Sequence, residues 1–390
     1  MKFKYLIFSI SSLFVMGNLY AQASLPLVPQ KSLPIEMPKI SEEAPVENKT
    51  DKFISLDDLK KIQKDQKKSN TPTVTTPVTP PTINDINPSA DGYVLPKVEE
   101  NTEYTKEELT FDRLKRNFLV SNAIDVKTEK NLPAIILLHP SEQTAENVWS
   151  QTTLPRFAKE NKYLLVAPQA LNNHWNDGNM NPISGEYKTT VDDVGFLLTL
   201  IDKLTHEYSV DPKKVFIVGI SNGGFMATHY VCRIGDTIRG GVNILSLLHY
   251  DDSRRCTSSS VPWLSMNSGN DAFIPYLGQA RGRDNRGNPQ DIWLSAEQTF
   301  NFFNTRNQCR QEGPYKQLPH FNKNDNTAAF IKVANNCANG TSNILLAFRN
   351  AGHQLPNVNK NYGSPYEGLS NQDIDPGTAI IHFFNSILKK

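Results

Sequence analysis

The segment 215–225 constrains this chain more than any other. Val215-Phe216-Ile217-Val218, all β-branched or aromatic, run straight into Gly219-Ile220-Ser221-Asn222-Gly223-Gly224, and 225–232 then reads as a helix. A strand that turns this sharply into a helix is strained at the turn, so glycines flank the central residue where a Cβ would strike neighbouring backbone. The serine is thereby held with its Oγ at the carboxyl end of its strand. The N-terminus of the following helix, with its partial positive charge, favours negative charge developing there. Gly-x-Ser-x-Gly alone occurs by chance; the strand before it and the helix after it make it informative.

The rest of the chain repeats that alternation. Short apolar runs at 134–138, 163–167, 215–218, 263–266 and 344–348 read as strands. Between the second and third, Val194, Leu197, Leu198, Ile201 and Leu204 recur at helical spacing, and a last helix from about Pro376 carries Ile380, Ile381, Phe384 and Ile387 on one face. Near-continuous apolar strands separated by helices predict an α/β fold, a mostly parallel sheet with helices on both faces. It is expected to occupy 105–390 as one domain.

Residues 24–104 carry too few large apolar side chains to offset the entropy of ordering. Pro, Lys, Glu and Thr dominate, and 71–82 (TPTVTTPVTPPT) reads as an extended linker, so the folded part is preceded by a disordered tail. Within it, Ser55-Leu56-Asp57-Asp58 resembles a capping box ahead of Leu59 and Ile62, which predicts a short helix over 55–68. Such a helix is either marginal in isolation or a contact for another exported protein. At the start, Lys2 and Lys4 precede an apolar stretch over 5–20 and the small-x-small sequence Ala21-Gln22-Ala23. That is the form of a signal peptide over 1–23, and it predicts an exported protein, secreted or periplasmic, with no membrane span after cleavage. Lys plus Arg number 41 against 40 Asp plus Glu, a net charge of +1, which leaves no basic excess for nucleic acid.

The four cysteines, Cys232, Cys256, Cys309 and Cys337, suit an oxidising compartment. Three connectivities are possible. Sequential pairing, Cys232 with Cys256 and Cys309 with Cys337, closes two short loops and is the expected one. With no C-x-x-C pair or Cys/His cluster, neither a metal nor a cofactor is anticipated.

A serine nucleophile needs a base, and the base an orienting acid; on a sheet of this kind they follow in the order Ser, acid, His. His139, His174 and His206 precede Ser221, and His229 lies in the helix after it. His249 follows no distinctive turn, His320 sits in a polar segment and His382 in the last helix. His353 remains, just past the strand 344–348, where a general base is expected. For the acid, Asp271 is the best candidate, following the strand 263–266 through Asn267-Ser268-Gly269-Asn270 at a strand's carboxyl end, although Asp251 and Asp252 also satisfy the spacing.

These motifs resemble those of the poly(3-hydroxyalkanoate) depolymerase and feruloyl-esterase-like family of α/β-hydrolases. The resemblance covers roughly 114–390. It rests on 219–226 (GISNGGFM), Val191-Asp192-Asp193-Val194-Gly195-Phe196-Leu197, Trp175-Asn176-Asp177, Asp271-Ala272-Phe273-Ile274-Pro275-Tyr276 and Gly352-His353-Gln354-Leu355-Pro356. It implies an α/β-hydrolase fold with Ser221 as nucleophile, His353 as base, Asp271 as its partner, and a disulfide between Cys309 and Cys337. The amides of Ser141 and Asn222 are then the expected oxyanion donors. Two departures stand out: Pro140 follows His139 where the family has glycine, and Leu355 stands where the family often has tryptophan. The implied activity is an exported serine esterase acting on polyhydroxyalkanoate or its oligomers, or on feruloyl or acetyl esters of polysaccharide. A serine peptidase of the prolyl-oligopeptidase-like type, or a hydrolase-like adhesion module, are the alternative readings. Because the tail carries none of this chemistry, a chain beginning near Asn101 should keep the full-length turnover of a small soluble ester, and limited proteolysis should remove 24–104 first.

Overall fold

The apolar runs of the sequence become the middle of a single eleven-stranded sheet. The computed structural model describes residues 103–389 other than 123, 179–189, 259, 280–292, 323 and 358–367; the anticipated leader over 1–23, most of the tail over 24–104 and the helix over 55–68 lie outside the described residues. The strands are β1 (Tyr104–Phe111), β2 (Leu114–Ser121), β3 (Leu132–Leu138), β4 (Leu164–Pro168), β5 (Val210–Ile220), β6 (Gly240–Ile244), β7 (Trp263–Ser268), β8 (Gln311–Glu312), β9 (Lys316–Gln317), β10 (Ala328–Asn335) and β11 (Asn343–Arg349). The helices are α1 (Ala145–Gln151), α2 (Leu154–Glu160), α3 (Asp193–Glu207), α4 (Asn222–Ile234), α5 (Tyr250–Arg255), α6 (Ala296–Arg306) and α7 (Pro376–Leu388). Among the described residues no helix is long and apolar enough to cross a membrane.

Across the sheet the order is β1-β2-β4-β3-β5-β6-β7-β11-β10-β8, with β9 also on β10. The six strands from β4 to β11 are parallel. Antiparallel strands extend both margins, which the sequence reading did not anticipate. The β1–β2 hairpin turns through Asp112 and Arg113, both at positive φ as a two-residue turn requires, without the glycine that usually marks such a turn. It also places the folded region's first strand at Tyr104, one residue ahead of the expected boundary.

Each parallel strand is apolar throughout because both of its faces are covered. In β3, Ile135 and Leu137 face one core while Ala134, Ile136 and Leu138 face the other; Phe216 and Val218 of β5 divide in the same way from Val215 and Ile217. The first core is closed by α1, α2 and α7, where Phe384 stacks on Phe216 with ring centroids 4.2 Å apart. The second is closed by α3 and α4. Of the apolar positions anticipated on α3, Leu198 points outward and is exposed.

Buried Arg116 of β2 ties the edge hairpin to this second layer. Its Nη2 donates to Asp193 Oδ1 at 2.6 Å, and its guanidinium lies 3.7 Å above the Phe196 ring. Burial pushes the Asp193 carboxyl up despite the pull of Arg116. Losing either partner would leave the other charge unpaired in the core.

The cysteines join in sequence order, Cys232 at the end of α4 to Cys256 beyond α5, and Cys309 beyond α6 to Cys337 beyond β10. The loops they close are 24 and 28 residues long, so each bridge should contribute roughly 2–4 kcal/mol by restricting the unfolded chain. Peptide mapping without reductant should return these two pairs, and reductant should lower the melting temperature; free thiols or crossed pairs would contradict the assignment.

Candidate active site

The chain runs from β3 outward to β4 and then crosses back to β5, so the strand order reverses between β3 and β5. In a parallel sheet a crevice opens at that reversal, beyond the carboxyl ends of the strands. Ser221 ends β5 there with φ 53° and ψ −120°, a conformation that is strained for any residue with a side chain. It is held from both sides. Its amide donates to Ile244 O of β6 at 2.8 Å, and its carbonyl accepts from Gly224 N at 2.8 Å and Phe225 N at 3.0 Å. The turn leaves no room for a side chain at Gly219, where a Cβ would overlap Gly223 O, or at Gly223, where it would overlap Leu138 O. The first turn of α4 therefore lies directly against the end of β3.

His353 stands between Ser221 and Asp271. Its Nδ1 donates to Asp271 Oδ2 at 2.7 Å, and its Nε2 lies 3.0 Å from Ser221 Oγ. A carboxylate can only accept, so Nδ1 carries the proton and Nε2 presents its lone pair to the hydroxyl. Asp271 Oδ1 is occupied by the amides of Phe273, at 2.9 Å, and Ile274, at 2.8 Å, which fixes Oδ2 toward the ring. The acid and base loops are laced together by Gly269 N, which donates to Phe348 O, and Asn270 N, which donates to Ala351 O, and Gly352 N donates to Leu369 O further along the chain. Of the other acids with suitable spacing, Asp252 is paired with His229 Nδ1 at 2.9 Å and Asp251 is exposed in the first turn of α5. The structure thus brings Ser221, His353 and Asp271 together and leaves Asp251 and Asp252 elsewhere.

Several side chains to which the sequence reading gave no positioning role hold the loops around Ser221, His353 and Asp271. Asn222 Oδ1 accepts the Trp175 amide at 2.8 Å, and its Nδ2 donates to Trp175 O at 3.2 Å and to Asp177 Oδ2 at 3.0 Å. Asp193, already paired with Arg116, accepts the Asn176 amide at 2.8 Å through its other oxygen. The Trp-Asn-Asp segment is therefore clamped between α3 and the elbow. On the β3 side, His139 Nδ1 donates to Pro140 O at 2.7 Å, its Nε2 accepts from Ala170 N at 3.0 Å, and its carbonyl accepts from Trp175 Nε1 at 3.0 Å. Ser141 Oγ bonds the His174 ring at 2.7 Å, and Glu142 N donates to Asn173 O at 2.8 Å. The loop with Pro140 is thus pinned to the segment after β4. Leu355 is buried in the first core; the aromatic neighbour of the base is instead Phe273, whose ring meets the His353 imidazole edge-on at 5.4 Å. Among the described residues no group of three or more His, Cys, Asp or Glu is arranged to hold a metal ion.

No family model matches the chain. It is 27% identical over 115 residues to feruloyl esterase B of Thermothelomyces thermophilus, covering 29% of this chain and 38% of that one. To feruloyl esterase B of Piromyces equi it is 25% identical over 233 residues, covering 58% and 40%. The matches span about two fifths of those relatives' length. Among solved structures, acetyl xylan esterase from Aspergillus awamori is similar with a TM-score of 0.43 and 8% identity, over 64% of this chain and 94% of that one. The sheet order and the strand–serine–helix elbow define an α/β-hydrolase fold. Within that class the chain is similar to feruloyl esterases over the matched residues.

Burial lowers the His139 imidazole to about 4, so it is neutral at neutral pH, as its acceptor Nε2 requires. The unfolded chain binds this proton near the ordinary value of about 6.5. Stability from this group is complete above that value and is lost as the pH falls toward 4, up to about 3 kcal/mol. Unfolding free energies measured from pH 7 to pH 4 should fall more steeply for the native chain than for His139→Gln, even though the variant starts less stable; equal slopes would exclude the effect.

Proposed function

We propose that this protein is an exported carboxylic ester hydrolase that works through Ser221, His353 and Asp271 by way of an acyl-enzyme. The observation that carries the proposal is the continuous hydrogen-bonded line from Asp271 Oδ2 through His353 to Ser221 Oγ, with distances of 2.7 and 3.0 Å. The similarity to curated feruloyl esterases supports it independently. The two disulfides fit an oxidising compartment, in keeping with export.

In this reading Ser221 Oγ forms a bond to the ester carbonyl carbon while its proton passes to His353 Nε2. The carbonyl π pair moves onto oxygen, and the resulting oxyanion is stabilised by the amides of Asn222 and Ser141, in front of the N-terminus of α4. Asp271 holds the ring in the required tautomer and stabilises the imidazolium. Collapse of the intermediate breaks the bond to the alcohol oxygen, which takes the proton from Nε2 and departs. Water, deprotonated by the same ring, then adds to the acyl carbon; the bond to Ser221 Oγ breaks, Oγ takes the proton back from Nε2, and the acid is released. The polar clamp on Trp175, Asn176 and Asn222 keeps one oxyanion donor in place without movement at the moment of reaction. Feruloyl and acetyl esters of polysaccharide, and hydroxyalkanoate oligomers, are the substrates to compare first.

Ser221→Ala and His353→Ala should each lower ester turnover by roughly 10⁴-fold or more with folding intact, and Asp271→Asn somewhat less, because members of such a unit fail together. A fluorophosphonate probe should label Ser221 in the native protein. Near-normal turnover by Ser221→Ala would overturn the assignment. Probe-labelled protein that cleaved peptides but no ester would favour the peptidase reading, and failure of the probe to react would favour a binding module.

A further inference from the structure

A cleft lies at the opposite end of the sheet from Ser221. β2 runs antiparallel to β4, with Phe118 opposite Pro168 and Val120 opposite Val166, so Ser121 ends β2 on the side where the parallel strands begin. Tyr208 reaches the same side, between the end of α3 and the start of β5. The cleft there has a volume of about 310 Å³, and Glu107, Asn122, Asp125, Lys127 and Tyr208 line it. That volume is near the lower bound for ligand clefts, roughly 300–1,000 Å³. None of these residues belongs to the elbow or to the loops that carry Asp271 and His353.

The polar groups that line the cleft are left over by the fold. The Glu107 carboxylate and the Lys127 ammonium have no hydrogen-bond or ion-pair partner among the described residues. Asp125 uses Oδ1 alone, which accepts the Lys127 amide at 3.0 Å. Asn122 Oδ1 accepts from Thr105 Oγ1, which leaves its Nδ2 free to donate. Burial pushes the Tyr208 hydroxyl up to about 12, with the Glu107 and Glu207 charges adding to the rise, so the phenol keeps its proton. Ile124 and Val126 complete the lining with apolar surface.

This chemistry selects a class of ligand. An anion would meet two carboxylates, and a cation would meet Lys127. A neutral hydroxyl donates and accepts at once, so it can donate to Glu107 or Asp125 while accepting from Lys127 or Asn122. A pyranose carries several such hydroxyls and an apolar C–H face that suits Tyr208, Ile124 and Val126. We propose that this cleft binds a neutral sugar unit, and that it anchors an ester-bearing polysaccharide while another stretch of the same polymer meets Ser221. The inference rests on the polysaccharide-ester reading above and deepens it. Two contacts on one polymer raise the local concentration of ester without any change in the chemistry.

The test titrates xylohexaose and cellohexaose, which carry no ester, into the full chain by calorimetry. At least one of them should bind saturably, and Glu107→Ala should weaken that binding by about tenfold. Tyr208→Leu should weaken it in the same direction. On acetylated xylan both variants should raise KM with kcat unchanged, while their turnover of p-nitrophenyl acetate stays native, which also shows that they fold. Absence of saturable binding, or binding that neither substitution weakens, would overturn the proposal. So would a trilysine peptide or a hydroxybutyrate trimer that binds more tightly than either sugar and is lost in Glu107→Ala. Ester turnover by Ser221→Ala, assayed alongside, separates the two readings. Sugar binding at the cleft with full turnover by Ser221→Ala keeps the cleft and rejects the triad; Ser221-dependent turnover with no sugar binding rejects the cleft alone.

Discussion

The turn at Ser221 exists because α4 begins almost in contact with the end of β3. Where Gly223 crosses Leu138 O and Gly219 crosses Gly223 O there is no space for a methyl group, and Ser221 itself sits at φ 53°. Such a conformation costs of order 1–3 kcal/mol and survives only where its surroundings over-determine it. Here the surroundings are the central parallel strands: the Ser221 amide is captured by β6, its carbonyl by the first turn of α4, and β5 is covered on both faces. The position of Ser221 is in this sense a property of the whole sheet.

Buried polar side chains do what the strands cannot, which is to fix the irregular loops beyond their carboxyl ends. Asn222 faces two ways, its amide at the helix start and its side chain on Trp175 and Asp177. Arg116, Asp193 and Asn176 carry the same segment back to the sheet edge. His139 links Pro140 to Ala170 through a tautomer that only a neutral ring supplies. Asn222, Asp193 and His139 offset their desolvation through several such bonds each, whereas Arg116 leaves its buried Nε without a partner and lies against the Phe196 ring. Pro140 therefore sits in a loop whose shape is set by its neighbours, and its missing N–H removes no bond from this set.

Around the base the balance shifts from polar to apolar. The hydrogen bonds from Asp271 to His353 and Ser221 are flanked by backbone amides on the acid side and by Phe273 at the ring edge. Leu355, at the position where the related family often carries an aromatic, has turned into the core. The aromatic wall beside the imidazole is thus supplied by a different loop.

The sequence by itself determined the central parallel strands and the elbow at Ser221, and singled out His353, because these depend on local patterns: apolar runs, glycines at a close approach, and one histidine past the last core strand. It also determined the outline of α3 and α7, since helical spacing of apolar residues is written into the chain. The margins of the sheet depended on tertiary structure. β1 is half-exposed and turns through Asp112-Arg113, and β8 and β9 are two residues each, so neither periodicity nor turn chemistry announces them. Choosing Asp271 over Asp251 and Asp252 likewise required three dimensions, because all three have suitable spacing and only the lacing of the acid loop to the base loop brings one carboxylate to His353. The placement of Phe273 and the roles of Asn222, His139 and Asp193 belong to the same class, since their partners lie tens of residues away and the hydrogen bonds that define them exist only once the sheet has brought those loops together.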